Sequence, residues 1–394
     1  MGLQALMHEC CQAVRALLPE LARPEQTAVG KLVCGVVGAE SAQLSRAGAA
    51  IPGPAQDRST QRQAQRLVAN ERLDVGRAQR RLLARVLHGR RGRVDRLLDA
   101  TTNGASAHQA GTVTLCLALR WHGRAVPLVW RTWTADEPGQ HWDRAIPELC
   151  GLVAEYLPDA ARVVLLVDRG LGNGGLARTA QRLGWHYLFR VQRRTRVRLP
   201  DGTVREIGSL VQAPTPGESD RARQARARQG CIDGVAVGAA RRKRGATWES
   251  DWDAALPTNV VASAGPTPDD PWLLLTDLPA APARCREYRH RTQEEELFRD
   301  LKAFGWQWQD SRLRLPDRVD RLLLVLALAT LWIDALAQHV LRRGLRHLLE
   351  DRSRHCYSRF QLGLRWLRRC LINGLPVPCS FWLLPDLRHL RKLS

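Results

Sequence analysis

The sequence predicts an α/β protein: a mixed sheet with helices packed on it, preceded by a helical region, interrupted by a β-rich insertion and followed by further helices. Three observations predict it. Residues 163–167 read Val-Val-Leu-Leu-Val and end in Asp168, an apolar run that suits a strand buried on both faces. Around that run, period-2 and period-3.6 patterns alternate between 94 and 191 in the order β-β-β-α-β-α-β. Beyond Pro282, helical spacing resumes with a polar stripe on one side and Leu297, Leu301 and Phe304 on the other.

Taken in order, residues 1–90 form a helical region. Leu3, Leu6, Met7, Cys10, Val14, Leu17 and Leu18 recur at helix spacing. A second helix is expected over 27–37 and a short third over 41–49, with Ser41 as its N-cap. After the break at Ile51-Pro52-Gly53-Pro54, Ser59 is placed to cap a helix carrying Arg62 and Arg66, with Arg72 just beyond. A short strand over 94–99 ends in Asp99. Strands over 112–119 and 126–133 follow, joined by a hairpin at Trp121-His122-Gly123-Arg124. A helix over 142–157, the strand ending in Asp168, a helix over 174–183 and a strand over 187–191 complete this part, 91–191. Two acids at strand ends, with helices on the sheet, describe an RNase H-like core.

Residues 192–278 read as a β-rich insertion. Short strands at 197–199, 204–207, 235–238, 260–263 and 272–276 alternate with turns such as Pro200-Asp201-Gly202 and basic clusters at 221–228 and 241–244. The core resumes over 279–348 and includes a long helix at 320–347. A basic C-terminal region, 349–394, contains a helix at 360–369.

A net charge of +21 and a pI near 10.8 indicate a polyanionic partner, most simply nucleic acid. The ten cysteines include no Cys-x-x-Cys pair and suggest neither a zinc site nor a disulfide framework, so reduced thiols in a cytoplasmic protein are expected. The first 20 residues lack a signal-peptide pattern. The apolar run 322–333 is too short to span a bilayer. No Gly-x-x-x-x-Gly-Lys-Ser/Thr motif is present, so no nucleotide cofactor is expected. The Gly-rich stretch 170–175 lacks the acidic partner of a dinucleotide site.

The polar stripe consists of Tyr288, Arg291, Glu295 and Lys302. On a regular α-helix these fall within an arc of roughly 60° and a length of about 21 Å. A carboxylate flanked by two cations and a phenol suits a divalent metal with phosphates on either side, Arg as a fork and Lys as a point charge. Lys302 is one of only four lysines in a chain with 56 arginines.

The spacing Y-x2-R-x3-E-x6-K resembles the YREK signature of bacterial insertion-sequence DDE transposases of the insertion-sequence-four type, at all four positions. Asp168-Arg169-Gly170 resembles the second acidic motif of that family. Asp99-Ala100-Thr101-Thr102 resembles the first less closely, and Asp95 stays in play as an alternative first acid. The resemblance implies a catalytic, metal-binding triad of Asp99, Asp168 and Glu295, with Tyr288, Arg291 and Lys302 contacting transposon-end DNA. It also implies two Mg²⁺ ions, for which Mn²⁺ can substitute. The implied partners are terminal inverted repeats, target DNA and a second protomer, and the implied second-strand route is a DNA hairpin. Two other functions share the pattern: a DNA-binding protein that kept the fold without the chemistry, and a stand-alone nuclease.

Overall fold

Val163–Val167 lies where its composition demands, in the interior of a sheet and flanked by a strand on each side. The structure, a computed structural model, describes residues 3–103, 111–136, 142–210, 231–241, 249–263, 271–302, 304–351, 356–379 and 381. Strand β4 (Ala161–Val167) pairs in parallel with β1 (Gly92–Asn103) on one side and β5 (His186–Arg190) on the other. Strands β2 (Thr112–Trp121) and β3 (Arg124–Thr134) extend the sheet antiparallel from β1. The hairpin between them turns on two residues in left-handed conformation, His122 (φ 50°) and Gly123 (φ 82°), as a two-residue type I′ loop requires. The resulting order β3-β2-β1-β4-β5, with helices on both faces, is consistent with an RNase H-like core.

The insertion continues this sheet. Strand β10 (Trp272–Thr276) pairs antiparallel with β5, and β9 (Glu249–Ser263), β8 (Cys231–Arg241), β6 (Arg196–Arg198) and β7 (Val204–Glu206) follow outward, making ten strands in one sheet. Strands β8 and β9 are longer than the short runs expected, because the strand pattern continues through polar residues that read as loop. The basic residues at 221–228 and 242–244 lie outside the described residues.

Each face of the sheet carries its own core. Helices α5 (Val75–Leu87), α6 (Trp142–Ala154) and α7 (Gly174–Arg182) cover one face, burying Leu83, Leu149 and Leu176 against Leu98, Leu165 and Phe189. The other face receives α10 (Pro316–Arg342), whose residues 322–333 are buried on every side. A helix apolar all round belongs inside. It packs against α2 (Arg23–Ala39) and α4 (Asp57–Ala69) of the N-terminal helices and against α11 (Arg359–Ile372). The N-terminal helices α1 (Leu3–Leu17), α2, α3 (Leu44–Ala49) and α4 therefore share one continuous core with the sheet. Gln43 and Gln56, rather than Ser41 and Ser59, occupy the N-cap positions of α3 and α4, and Ser41 Oγ accepts from the Gln43 amide instead. Among the described residues, no helix is long and apolar enough to cross a membrane.

The segment after Pro282 departs from a single regular helix. Helix α8 (Ala283–Tyr288) tightens into a 3-10 turn (Arg289–Arg291) before α9 (Thr292–Leu301) begins. Lys302 leaves helical geometry altogether, at φ −91° and ψ −125°. The straight 21 Å stripe is thus replaced by a bent one. Phe304, expected on the apolar side, is 74% exposed, because the helical period has ended before it. Leu297 and Leu301 are buried as expected. Replacing Leu297 by Ala is expected to cost about 2–5 kcal/mol through the cavity left behind. Thermal melting checks this, and an unchanged melting temperature would place that side of α9 outside the core.

Candidate active site

The parallel register of β1 and β4 sets the two acids side by side. Leu98 pairs with Val167, so Asp99 and Asp168 occupy the next positions on neighbouring strands. Strand spacing in a sheet is about 4.8 Å, which brings their carboxylates to one place. Asp95 lies four residues earlier on the same face of β1, about 13 Å along the strand.

A tight turn fixes Asp168. The Asp168 carbonyl accepts from the Leu171 and Gly172 amides, and Asn173 then caps α7 by accepting from the Leu176 amide. Gly172 is obligatory there, since a Cβ would stand 2.5 Å from the Arg190 carbonyl oxygen. The Gly-rich stretch thus builds the strand-to-helix corner behind Asp168.

The segment 284–302 lies along β1 with its contacts in order. Arg93 pairs with Glu287 (3.0 Å), Asp95 with His290 (3.0 Å), Asp99 with Arg291 (2.8 Å), and the Lys302 ammonium donates to the Thr102 carbonyl (2.8 Å). Arg124, at the start of β3, grips Glu296 (2.5 Å) and Asp300 one turn apart on α9. This clamp fixes the helix that carries Glu295.

Arg291 occupies the centre. Its Nη2 lies 2.8 Å from Asp99 Oδ2 and 3.4 Å from Asp168 Oδ2, and its Nη1 bonds Glu295 Oε1. One guanidinium therefore touches all three acids predicted for the triad. The Tyr288 hydroxyl donates to the remaining Asp168 oxygen, Oδ1, at 3.1 Å, and its ring stacks edge-on against Trp272 at 5.3 Å. Tyr288 is buried, with only 4% exposure, whereas the Glu295 side chain stays 57% exposed at the mouth of the site.

The charges explain the arrangement. Burial pushes the Asp99 carboxyl up, and the Asp168 charge adds to this, while Arg291 and the Ala100 amide oppose it. Burial lowers the affinity of Arg291 for its proton, but Asp99 and Asp168 more than compensate, and its pKa ends above the usual value. Burial also drives the Tyr288 phenol upward, so it stays protonated and able to donate. Such a group of acids needs positive charge to remain ionised together. Strand β1 runs four residues past Asp99, to Asn103, rather than ending there as expected, because it stays paired with β2 after β4 has ended. Asp99, Asp168 just beyond β4 and the more exposed Glu295 offer oxygen ligands of the kind that divalent ions prefer, so the donor set fits a hard metal. With Arg291 between them, the side chains do not close on a single point; among the described residues, no ready-made metal cluster is formed.

The structure brings together five of the six residues singled out in the sequence: Asp99, Asp168, Glu295, Tyr288 and Arg291. Lys302 sits apart from the acids, at the far end of β1. Sequence reasoning missed Glu294. This side chain is fully buried, and burial together with the Asp99 charge drives its carboxyl far above the usual range. The signal was available, since Glu294 shares the 294-297-301 face with Leu297 and Leu301.

Residues 144–332 match the transposase DDE domain family. The match supports a DDE transposase, an enzyme class that acts on DNA and uses divalent metal ions. It spans Asp168, Tyr288, Arg291, Glu295 and Lys302 and begins beyond β1, so Asp99 lies outside the matched residues and is brought beside Asp168 by the sheet register and by Arg291. No curated protein matches the chain at a significant level.

Proposed function

We propose that this chain is an insertion-sequence transposase of the YREK type, which binds the terminal inverted repeats of its element and cuts and joins DNA with Asp99, Asp168 and Glu295. The observation that carries this reading is the convergence of the three acids on Arg291, from two neighbouring strands and a helix far apart in sequence. Asp99, Asp168 and Glu295 are the residues that would hold Mg²⁺, two ions in the fullest form. The metal supplies charge neutralisation at the phosphate and lowers the pKa of the attacking water. In the first step, water attacks the phosphorus, the bond from phosphorus to the 3′ oxygen breaks, and a 3′-hydroxyl leaves. That hydroxyl then attacks a phosphodiester, and the 3′ oxygen of the attacked strand leaves as a new hydroxyl: on the opposite strand this closes a hairpin, which a second water opens to give back a 3′-hydroxyl, and on target DNA it joins the end.

The residues around the acids have separate tasks in this reading. Arg291 neutralises the acids, with both of its terminal nitrogens on them. Tyr288 orients Asp168 through Oδ1. Lys302, whose proton affinity is lowered by burial, marks the edge of the DNA path beside Thr102. The basic N-terminal helices and the C-terminal helix α11 supply further phosphate contacts, and the protein works on bacterial DNA in the cytoplasm.

The charge supports DNA binding through many phosphates. A slope of log affinity against log salt of roughly −5 or steeper is expected, at about −0.9 per phosphate neutralised. A slope near −1 would mean that the basic surface faces solvent. Coupled excision needs both ends together, so the active form is expected to be a dimer. Sizing with end DNA should give two protomers on two duplexes, and full activity from a one-protomer complex would contradict it. The reading as a whole is tested by incubating the purified protein with duplexes from the DNA bordering its gene. Metal-dependent nicking at the element boundary, followed by strand transfer, separates a transposase from a stand-alone nuclease and from an inactive DNA-binding relative.

A further inference from the structure

We propose that Asp95 and His290 are a positioning pair that holds the 3-10 turn in register and so aims Tyr288 and Arg291 at Asp168. The inference rests on the transposase reading above and adds two residues to it.

In an α-helix, residues three apart point about 60° away from each other. In a 3-10 turn they eclipse. Tyr288 and Arg291 are three apart and flank the turn Arg289–Arg291. They reach the two oxygens of one carboxylate: the Tyr288 hydroxyl lies 3.1 Å from Asp168 Oδ1 and Arg291 Nη2 lies 3.4 Å from Oδ2. The tightened turn is what lets both side chains converge there.

Such turns have poorer hydrogen-bond geometry than an α-helix and are kept short. Something must hold this one against relaxing. His290 is its middle residue, and His290 Nδ1 lies 3.0 Å from Asp95 Oδ2. Asp95 is 5% exposed and projects from the same face of β1 as Asp99. Its other neighbours are arginines: Arg93 Nε at 2.7 Å from Oδ1 and Arg120 Nη1 at 3.6 Å from Oδ2. Burial alone would push the Asp95 carboxyl up, but the hydrogen bonds from His290 and Arg93 outweigh it and hold the group below its ordinary value.

Other contacts frame the turn. Before it, Glu287 is held by Arg93 at 3.0 Å and by Arg284 at 2.6 Å. After it, Arg124 grips Glu296 and Asp300. Within it, the Arg289 carbonyl accepts from Thr292 Oγ1 at 2.8 Å, Arg291 reaches the acids, and His290 ties the middle residue to β1. The same geometry gives Asp95 a role other than metal ligation, because it lies about 13 Å along β1 from the place where Asp99 and Asp168 meet.

The test is Mn²⁺-dependent cleavage kinetics on a duplex carrying the DNA that borders the gene, with melting curves for every variant. His290→Ala is expected to lower kcat about 10- to 100-fold, the scale of a small misplacement at a reacting centre. KM for the duplex should stay within about threefold, and the melting temperature should stay close to wild type. His290→Asn, whose amide N–H can take the place of the Nδ1 donor, should recover most of the rate. The Asp95→Asn/His290→Ala double variant should be no slower than the slower single variant, because both changes break one contact. The pair has no positioning role if His290→Ala cuts at the wild-type rate, if its loss of rate only tracks a loss of folded protein, if Asn recovers nothing, or if the two losses multiply. Wild-type protein that binds the duplex but never cuts it would overturn the transposase reading, and the positioning role with it. Normal cutting by both wild type and His290→Ala would sink only the pair.

Discussion

Asp99→Asn, Asp168→Asn and Glu295→Gln are each expected to reduce nicking of a transposon-end duplex by about 10³-fold or more, roughly 4 kcal/mol of transition-state stabilisation, while leaving duplex binding in place. Each change keeps the size of the side chain and removes one ligand charge. Asp99 and Asp168 lie at matched positions on β1 and β4 and share Arg291, so the loss of either disrupts the same charge centre. Asp95→Asn makes the informative comparison. Asp95 is committed to His290, Arg93 and Arg120, so this variant is expected to lose only part of the rate. If Asp95→Asn is dead and Asp99→Asn cuts normally, the first acid has been misassigned. Gel time courses beside a binding isotherm for each variant provide the reading.

The second large effect belongs to Arg291. This guanidinium is nearly buried and touches all three acids. Charge-assisted hydrogen bonds of this kind are worth about 1.5–3 kcal/mol each, so Arg291→Ala should slow cutting roughly 10- to 150-fold for a single lost contact. Arg291→Lys should recover little, since a point charge cannot bridge acids placed for a planar fork. Hairpin formation bends DNA sharply beside the acids, so that step should suffer more than the first nick. Lys302→Ala should follow with a smaller loss, because Lys302 sits away from the acids with its ammonium on the Thr102 carbonyl. Tyr288→Phe should be mildest, since the ring keeps its contact with Trp272 and only the hydrogen bond to Asp168 is lost. A time course that resolves nicked, hairpin and double-cut DNA, with melting curves alongside, tests the order. Arg291→Ala protein that unfolds early but cuts normally when folded would make this residue structural.

Much of this site could be read directly from the chain because its signals are local. Asp168 ends an apolar run that fits only an interior strand, and Tyr288, Arg291 and Glu295 repeat at helical spacing. The β-β-β-α-β-α-β order was likewise visible from changing periodicity. What was hidden depends on contacts between distant segments. Nothing in the sequence announces that Arg291 sits among the acids, because that needs β1 and β4 in parallel register. The 3-10 turn was also invisible, since its cause includes Asp95, 195 residues upstream of His290. Helix α5 was passed over, its Arg-rich face masking the buried Leu82, Leu83, Val86 and Leu87. Glu294 was overlooked because it sits within a run of three glutamates that reads as solvated surface.

The central claim is that three acids, gathered around Arg291, cut DNA at the ends of an element with a divalent metal. The most direct measurement is cleavage of a labelled duplex spanning the boundary of the DNA that borders the gene, with Mg²⁺ or Mn²⁺ and with a chelator. The expected result is a first metal-dependent nick at the boundary, leaving a 3′-hydroxyl, that is absent with chelator and absent in Asp168→Asn. Folded protein that binds this duplex yet leaves both strands whole in either metal would contradict it.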